Sequence, residues 1–283
     1  MIPKLFILGI DGLGGDIVLE KDLMPNLKRA CLTSEHAIVE SPNNLQNERF
    51  PFPHTWPAWT TIWTGQPEEK HGIGMPDREN DIVQNITDQP YLTVWEILDG
   101  AGYRCFLNHV QMTQGLQLEN GQVKFLARSM HKEFFSIVYS IRKQLDTLRT
   151  NDINADVIGY YTIALDHWFH NSVQIDKELM FYFFDYLIQW CQWFVPTENF
   201  IVISDHGFNP DVRQHTNNAF YFSRRLGKRL DDIKLTDIAG MLLDHVDLDL
   251  KSQLGIKTNR EVFNLSAIEK KDLFKQFAEM GYN

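Results

Sequence analysis

The sequence predicts an α/β protein built on a mostly parallel sheet, and three observations lead there. Short apolar runs at Leu5–Ile10, Arg104–Asn108, Val157–Leu165 and Phe200–Ser204 have the length of strands. They alternate with helical stretches at Thr93–Ala101, Lys177–Trp193 and Ala267–Met280, as in a parallel sheet with crossover helices. The 283 residues are 43% hydrophobic and 12% aromatic, enough to bury a sizeable core and too apolar for a disordered chain.

In chain order, the first run starts directly after Met1-Ile2-Pro3-Lys4. No long apolar region or small-residue cleavage site precedes it, so no signal peptide is expected and a cytoplasmic location is the default. Thr93–Ala101 leads into Arg104–Asn108 as a helix into a strand. Residues 110 to 152 break the rhythm with a turn at Asn120-Gly121 and a basic helix candidate, His131–Arg149. They read as a small cap inserted in a single 1–283 domain, or as a peripheral helix and hairpin. Lys177–Trp193 overlaps the most apolar stretch, Leu179–Val195, whose Asp185, Gln189 and Gln192 suit a helix packed on a sheet better than a membrane span. Cys31, Cys105 and Cys191 lie far apart, which argues against a zinc ribbon or a disulfide framework and predicts reduced core residues. With 27 Lys and Arg against 37 Asp and Glu, the formal charge of −10 argues against a sequence-independent grip on a nucleic-acid backbone.

Three of the apolar runs close on an acid: Leu5 to Ile10 on Asp11, Tyr161 to Leu165 on Asp166, and Phe200 to Ser204 on Asp205. The ligand crevice of an open α/β sheet lies outside the carboxyl ends of its strands, so neighbouring strands of this kind would gather the acids in one cleft. Clustered carboxylates repel one another and take up protons unless cations balance them. His170 lies four residues after Asp166, His206 directly after Asp205, and His215 nine residues further on. Mixed carboxylate and imidazole sets suit zinc, with manganese or iron as alternatives. The same spacings recur at Asp211/His215, Asp166-His167 and Asp244-His245, so the strand-end placement carries the expectation. The plainer alternative makes Asp166 and Asp205 helix N-caps and the histidines satisfied core or surface groups.

A candidate nucleophile, Thr55, stands just before an expected helix. Pro57 has the fixed φ of a first turn and Gly65 is a natural stop. Free N–H groups at such a start favour an anion. A threonine hydroxyl bonded to a metal there has a lowered pKa and can attack phosphorus. Thr55 as a plain N-cap is the alternative. Trp56, Trp59, Trp63 and Trp168 cluster around these residues in sequence and form either an aromatic wall for a flat substrate group or part of the core. His54 either faces substrate or packs inside, and His71 and Gly72 shape the loop after the helix.

Taken in order, these residues resemble the alkaline phosphatase superfamily, and within it the type I phosphodiesterase and nucleotide pyrophosphatase branch. The resemblance runs through Gly9-Ile10-Asp11-Gly12, Met24-Pro25-Asn26-Leu27, Thr55-Trp56-Pro57 to Thr64-Gly65, and His71-Gly72-Ile73. It continues with Thr93-Val94-Trp95-Glu96, Asp166-His167-Trp168-Phe169-His170, Ser204-Asp205-His206-Gly207-Phe208 and His215. It implies a three-layer αβα fold and two divalent metal ions, zinc or else manganese. One would be held by Asp11, Thr55, Asp205 and His206, the other by Asp166, His170 and His215. It also implies cleavage of a phosphodiester or phosphoanhydride bond in a small-molecule phosphate ester, by attack of Thr55 and hydrolysis of the resulting phosphoenzyme.

The chain departs from that branch where a phosphate-binding asparagine is expected: the offset falls on Pro76, followed by Asp77 and Arg78. A phosphomonoesterase or a phosphonate-ester hydrolase with the same centre is therefore the nearest alternative, and a catalytically silent metal-binding scaffold is the alternative of another class. Sulfatases share the broader fold but use a Cys-x-Pro-x-Arg setting that none of the three cysteines has.

Overall fold

The computed structural model describes residues 2–42, 52–74, 86–124, 154–171, 177–195, 198–209, 211 and 213–257. Strand β1 (Leu5–Ile10) leads through helices α1 (Gly15–Leu19) and α2 (Pro25–Cys31) to β2 (Ser34–Glu40). Helices α3 (Thr55–Thr64), α4 (Glu68–His71) and α5 (Val94–Gly100) precede β3 (Cys105–Asn108), β4 (Gln122–Lys124) and β5 (Val157–Thr162). Then come α6 (Ala164–Asn171), the long α7 (Lys177–Phe194) and β6 (Phe200–Ile203). A hairpin of β7 (Gly207–Asn209) and β8 (Gln214–Thr216), the strand β9 (Asn218–Leu226) and α8 (Leu235–Asp244) follow.

The seven-stranded sheet has the order β2-β9-β6-β1-β5-β3-β4. β1 lies in the middle and pairs in parallel with β5 and β6, and β5, β3 and β4 continue in parallel. β9 runs antiparallel to β2 and β6, so the sheet is mostly parallel as expected. β1 is buried along its whole length and sends alternate side chains to opposite faces. Leu5 and Ile7 join a core with Trp59, Val94 and Leu242, whereas Phe6, Leu8 and Ile10 join a second core with Leu27, Trp168 and Phe184. Helices α3, α5 and α8 thus cover one face and α1, α2, α6 and α7 the other, completing three αβα layers.

Local chemistry explains several boundaries. Thr93 caps α5: its hydroxyl accepts the Glu96 N–H at 3.3 Å, and the Glu96 carboxylate accepts the Thr93 N–H at 2.8 Å. Asp185, the polar break in the apolar run of α7, is buried because it accepts the first N–H groups of α2, from Asn26 at 3.0 Å and Leu27 at 2.8 Å. The strand expected over Val157–Leu165 is shorter. β5 stops at Thr162, whose hydroxyl accepts the Ala164 N–H at 3.2 Å, and α6 begins at Ala164, so Asp166 sits in a helical first turn rather than at a strand end.

Within 110–152, the described part adds β4 to the sheet edge beside β3. The candidate helices His131–Arg149 and Ala267–Met280 lie outside the described residues. Cys31, Cys105 and Cys191 are buried free thiols. Among the described residues no helix is long and apolar enough to cross a membrane.

Candidate metal centre

Sheet register brings the first acids together. β1 and β6 run side by side with Phe6 opposite Phe200 and Gly9 opposite Ile203, and the same register carried past the ladder sets Asp11 beside Asp205. Gly12 turns the chain at φ 76°, a left-handed conformation that glycine adopts without strain, and donates its N–H to Asp205 Oδ1 at 3.4 Å. His206 follows directly. Its Nδ1 donates to the Gly207 carbonyl at 3.0 Å, and its Nε2 lies 3.3 Å from Asp11 Oδ1 and 3.2 Å from Asp205 Oδ2. Asp11, Asp205 and His206 are each fully buried.

A second set adjoins the first. Helix α6 places Asp166 and His170 one turn apart on the same face, and the β7–β8 hairpin returns His215 to them. The Nε2 atoms of His170 and His215 lie 3.5 Å and 3.2 Å from Asp166 Oδ1 and 2.9 Å from each other. His215 Nδ1 donates to the Pro53 carbonyl at 2.7 Å. In each set the candidate ligand atoms lie within 4.8 Å of one another. The rings of His206 and His215 stack with centroids 3.9 Å apart, which joins the sets into one site.

Thr55 completes it. The N-cap of α3 is His54, and Thr55 is the first helical residue, with its Oγ1 3.5 Å from both Asp11 Oδ1 and His206 Nε2. The plain N-cap alternative is thereby excluded. The N-cap alternative for Asp166 and Asp205 fails too: Asp166 lies inside α6, and the residues after Asp205 form β7.

Electrostatics and hydrogen bonding test whether a cation fits. Burial, together with the Asp166 charge, pushes Asp11 up to about 7. Burial and the charges of Asp11 and Asp166 push Asp205 well above the usual carboxylate range. Burial works in the same direction on Asp166, but the imidazoles of His170 and His215 prevail and hold it well below its ordinary value. Asp166 Oδ2 and Asp205 Oδ2 are buried without a hydrogen-bond donor, and Asp166 Oδ1 faces only the imidazoles of His170 and His215. Each of the two Oδ2 atoms would cost roughly 1–3 kcal/mol or more as an orphaned polar atom. His206 and His215 spend their Nδ1 hydrogens on backbone carbonyls, the arrangement that fixes an imidazole to ligate through Nε2. Carboxylate oxygens lacking donors beside oriented imidazoles are a donor set that fits a divalent cation.

Two residues of the site went unassigned from sequence. Asp11 Oδ2 accepts Trp59 Nε1–H at 3.2 Å and also the Tyr161 hydroxyl. The partners are far apart in the chain, and Trp59 looked like one more aromatic. The aromatic-wall reading is overturned: Trp56, Trp59, Trp63 and Trp168 are all buried, with Trp59 stacked on Trp63 and Trp63 tilted onto Trp95. The first three pack inside because α3 lies flat on the sheet with all of its residues buried, and Trp168 of α6 packs into the core on the opposite face. His71 is structural, its Nδ1 accepting the Ile73 N–H at 3.0 Å and its Nε2 3.1 Å from Thr61 Oγ1, with burial lowering its pKa to about 4. Pro76, Asp77 and Arg78 lie outside the described residues.

Comparison with known proteins bears on the fold and the family. The family model of type I phosphodiesterase / nucleotide pyrophosphatase matches residues 5–270. Murine ectonucleotide pyrophosphatase/phosphodiesterase 5 in an inactive form bound to AMP superposes with a TM-score of 0.60 at 12% identity, covering 96% of this chain and 99% of that one. In a second structure of the murine protein the alignment spans only 72% of this chain and 57% of that one, with a TM-score of 0.51 at 17% identity. Phosphonoacetate hydrolase from Sinorhizobium meliloti aligns at 17% identity over 73% of this chain and 56% of that one, with a TM-score of 0.50. A 2-O GAG sulfatase shares the fold at 9% identity and a TM-score of 0.57, over 96% of this chain and 75% of that one. No curated protein matches the sequence. With the family model spanning nearly the whole sequence, the chain belongs to the type I phosphodiesterase / nucleotide pyrophosphatase family, a family of metal-dependent phosphoric ester hydrolases.

Proposed function

We propose that this chain is a two-metal hydrolase that cleaves phosphodiester or phosphoanhydride bonds of small nucleotide-type molecules through Thr55. The observation that carries this reading is the Thr55 hydroxyl at a helix start, 3.5 Å from Asp11 and His206, with the Asp166 set alongside. Asp11, Thr55, Asp205 and His206 would hold one cation and Asp166, His170 and His215 the other, with zinc the favoured ion and manganese the alternative. Bound there, the ions would neutralise the carboxylates, lower the pKa of the Thr55 hydroxyl and of a water, and offset phosphate charge.

The rest falls to the chain itself. The first N–H groups of α3, at Thr55 and Trp56, suit a phosphate oxygen. Thr55 Oγ1 forms a bond to phosphorus as the bond to the leaving oxygen breaks, and the leaving group takes up a proton. Water then attacks the phosphothreonine, which restores the hydroxyl and releases the phosphate product. Trp59 and Tyr161 hold Asp11 in place throughout.

Purified protein should turn over bis-p-nitrophenyl phosphate, lose activity to a chelator and regain it with zinc or manganese. Thr55→Ala should abolish turnover while metal content persists, and undiminished turnover in this variant refutes the nucleophile assignment. Comparing kcat/KM for diester, monoester and phosphonate-ester substrates decides among the esterase classes. A metal-replete protein inert across such a panel would instead be a metal-binding scaffold.

A further inference from the structure

We propose that Trp59 and Tyr161 are positioning residues that restrict Asp11 to one-oxygen ligation and so bias the Asp11/Asp205/His206 site toward zinc over manganese. The inference rests on the two-metal reading above and goes beyond it by naming what sets the metal preference. Asp11 has two oxygens with different company. Oδ1 faces Thr55 Oγ1 and His206 Nε2, at 3.5 Å and 3.3 Å. Oδ2 faces away, occupied by the Trp59 indole N–H and the Tyr161 hydroxyl. Both donors are neutral, so they orient the carboxylate without neutralising its charge.

Their rings cannot easily give way. Trp59 and Tyr161 meet edge to face with centroids 5.2 Å apart, and Trp59 is backed by Trp63, whose indole N–H donates to the Gln111 carbonyl at 2.9 Å. Gly9, two residues before Asp11 on β1, makes room for both rings. A Cβ there would sit 3.0 Å from the Trp59 ring and 3.2 Å from the Tyr161 ring. The glycine of the Gly9-Ile10-Asp11-Gly12 motif therefore serves the ligand indirectly, by admitting the pair that fixes its rotamer.

A carboxylate held to one oxygen suits an ion content with few ligands, as zinc is in tetrahedral sites. Manganese favours oxygen-rich, higher coordination, which a carboxylate free to offer both oxygens serves better. Freeing Oδ2 should therefore penalise zinc more than manganese.

The test is metal binding to the full chain, made metal-free by chelation. Zinc is titrated against a chromophoric chelator and manganese by electron paramagnetic resonance, for wild type, Trp59→Phe, Tyr161→Phe and the double variant. Wild type should bind two zinc ions per chain. The double variant should lose on the order of 10-fold to 100-fold in zinc affinity at one site, the usual range for lost supporting partners. Its manganese affinity should fall less, so that the zinc-to-manganese ratio drops about 10-fold. Tyr161→Phe keeps the ring and should show part of this change, which preserves the test if the double variant does not fold. Gly9→Ala, which crowds both rings, should shift the ratio in the same direction. An unchanged ratio in folded variants, whether both affinities hold or both fall together, overturns the proposal. A wild-type chain that binds neither ion overturns the two-metal reading itself, an outcome distinct from a wild type that binds both and variants that do not discriminate.

Discussion

The neighbouring strands β1 and β6 have two ends, and polar side chains meet at both with opposite results. At the amino end, Asn199 donates from Nδ2 to the carbonyls of Lys4 and His245 at 3.0 Å and 3.1 Å. His245 lies 3.1 Å from Asn199 Oδ1 and 3.0 Å from the Tyr221 hydroxyl, so this network closes on itself. At the carboxyl end, Asp11, Asp205 and His206 are fully buried, deeper than the part-buried Asn199, yet Asp205 Oδ2 and Oδ2 of nearby Asp166 find no donor. A closed network stabilises a fold, whereas carboxylates left without donors among imidazoles are built to receive a cation.

That contrast can be broken by matched substitutions. The largest effect belongs to Thr55→Ala, expected to lower kcat on the order of 10⁴-fold or more with the fold intact, as measured by steady-state turnover and circular dichroism. Asp205→Asn should remove one cation ligand and cost on the order of 10²-fold or more in activity. The same change should stabilise the metal-free protein. A carboxyl whose folded pKa lies above its ordinary value loses stability as pH rises past that value, so wild type should fall behind the Asn variant above pH 3.8 in urea melts without metal.

At the other end the signs reverse. Burial and the Arg225 charge lower His245 from 6.5 to about 4. Its neutral form thus contributes stability above pH 6.5 that is lost as pH falls toward about 4, on the order of 3 kcal/mol. His245→Gln should flatten this dependence relative to wild type and leave turnover near its starting level. Zinc at 100 times its dissociation constant should raise the unfolding free energy by about 2.7 kcal/mol per site in wild type and by less in Asp205→Asn. Smallest is Thr93→Ala, which opens the α5 cap and should cost about 1 kcal/mol in the same melts with no change in metal content.

The contrast also separates what could be read from the sequence and what could not. β1 and β6 were legible because strands covered on both faces are apolar throughout, and each delivers its acid at or just past the strand end. The end of β5 was misread, since Ile163-Ala164-Leu165 suits a buried strand or the start of a buried helix equally well. The edge partner β2 and the antiparallel β9 went unassigned, and with them the closure of one side of the sheet. Asp185 looked like a mere interruption of an apolar helix, because the α2 N–H groups it accepts lie some 160 residues away, as the Leu27 bond shows with a separation of 158. His215 could be singled out by its nearness to His206 in sequence, but its pairing with Asp166 and His170 came only with the family resemblance, its strand being short and half-exposed. Tyr161 and Trp59 left no local signal at all, since their shared acceptor, Asp11, is 150 and 48 residues distant.

The most direct test is anomalous diffraction at the zinc edge from crystals of the zinc-loaded protein. Two peaks are expected, one among Asp11, Thr55, Asp205 and His206, the other among Asp166, His170 and His215. Zinc bound elsewhere, with these side chains turned away from one another, would contradict the centre on which the proposed chemistry depends.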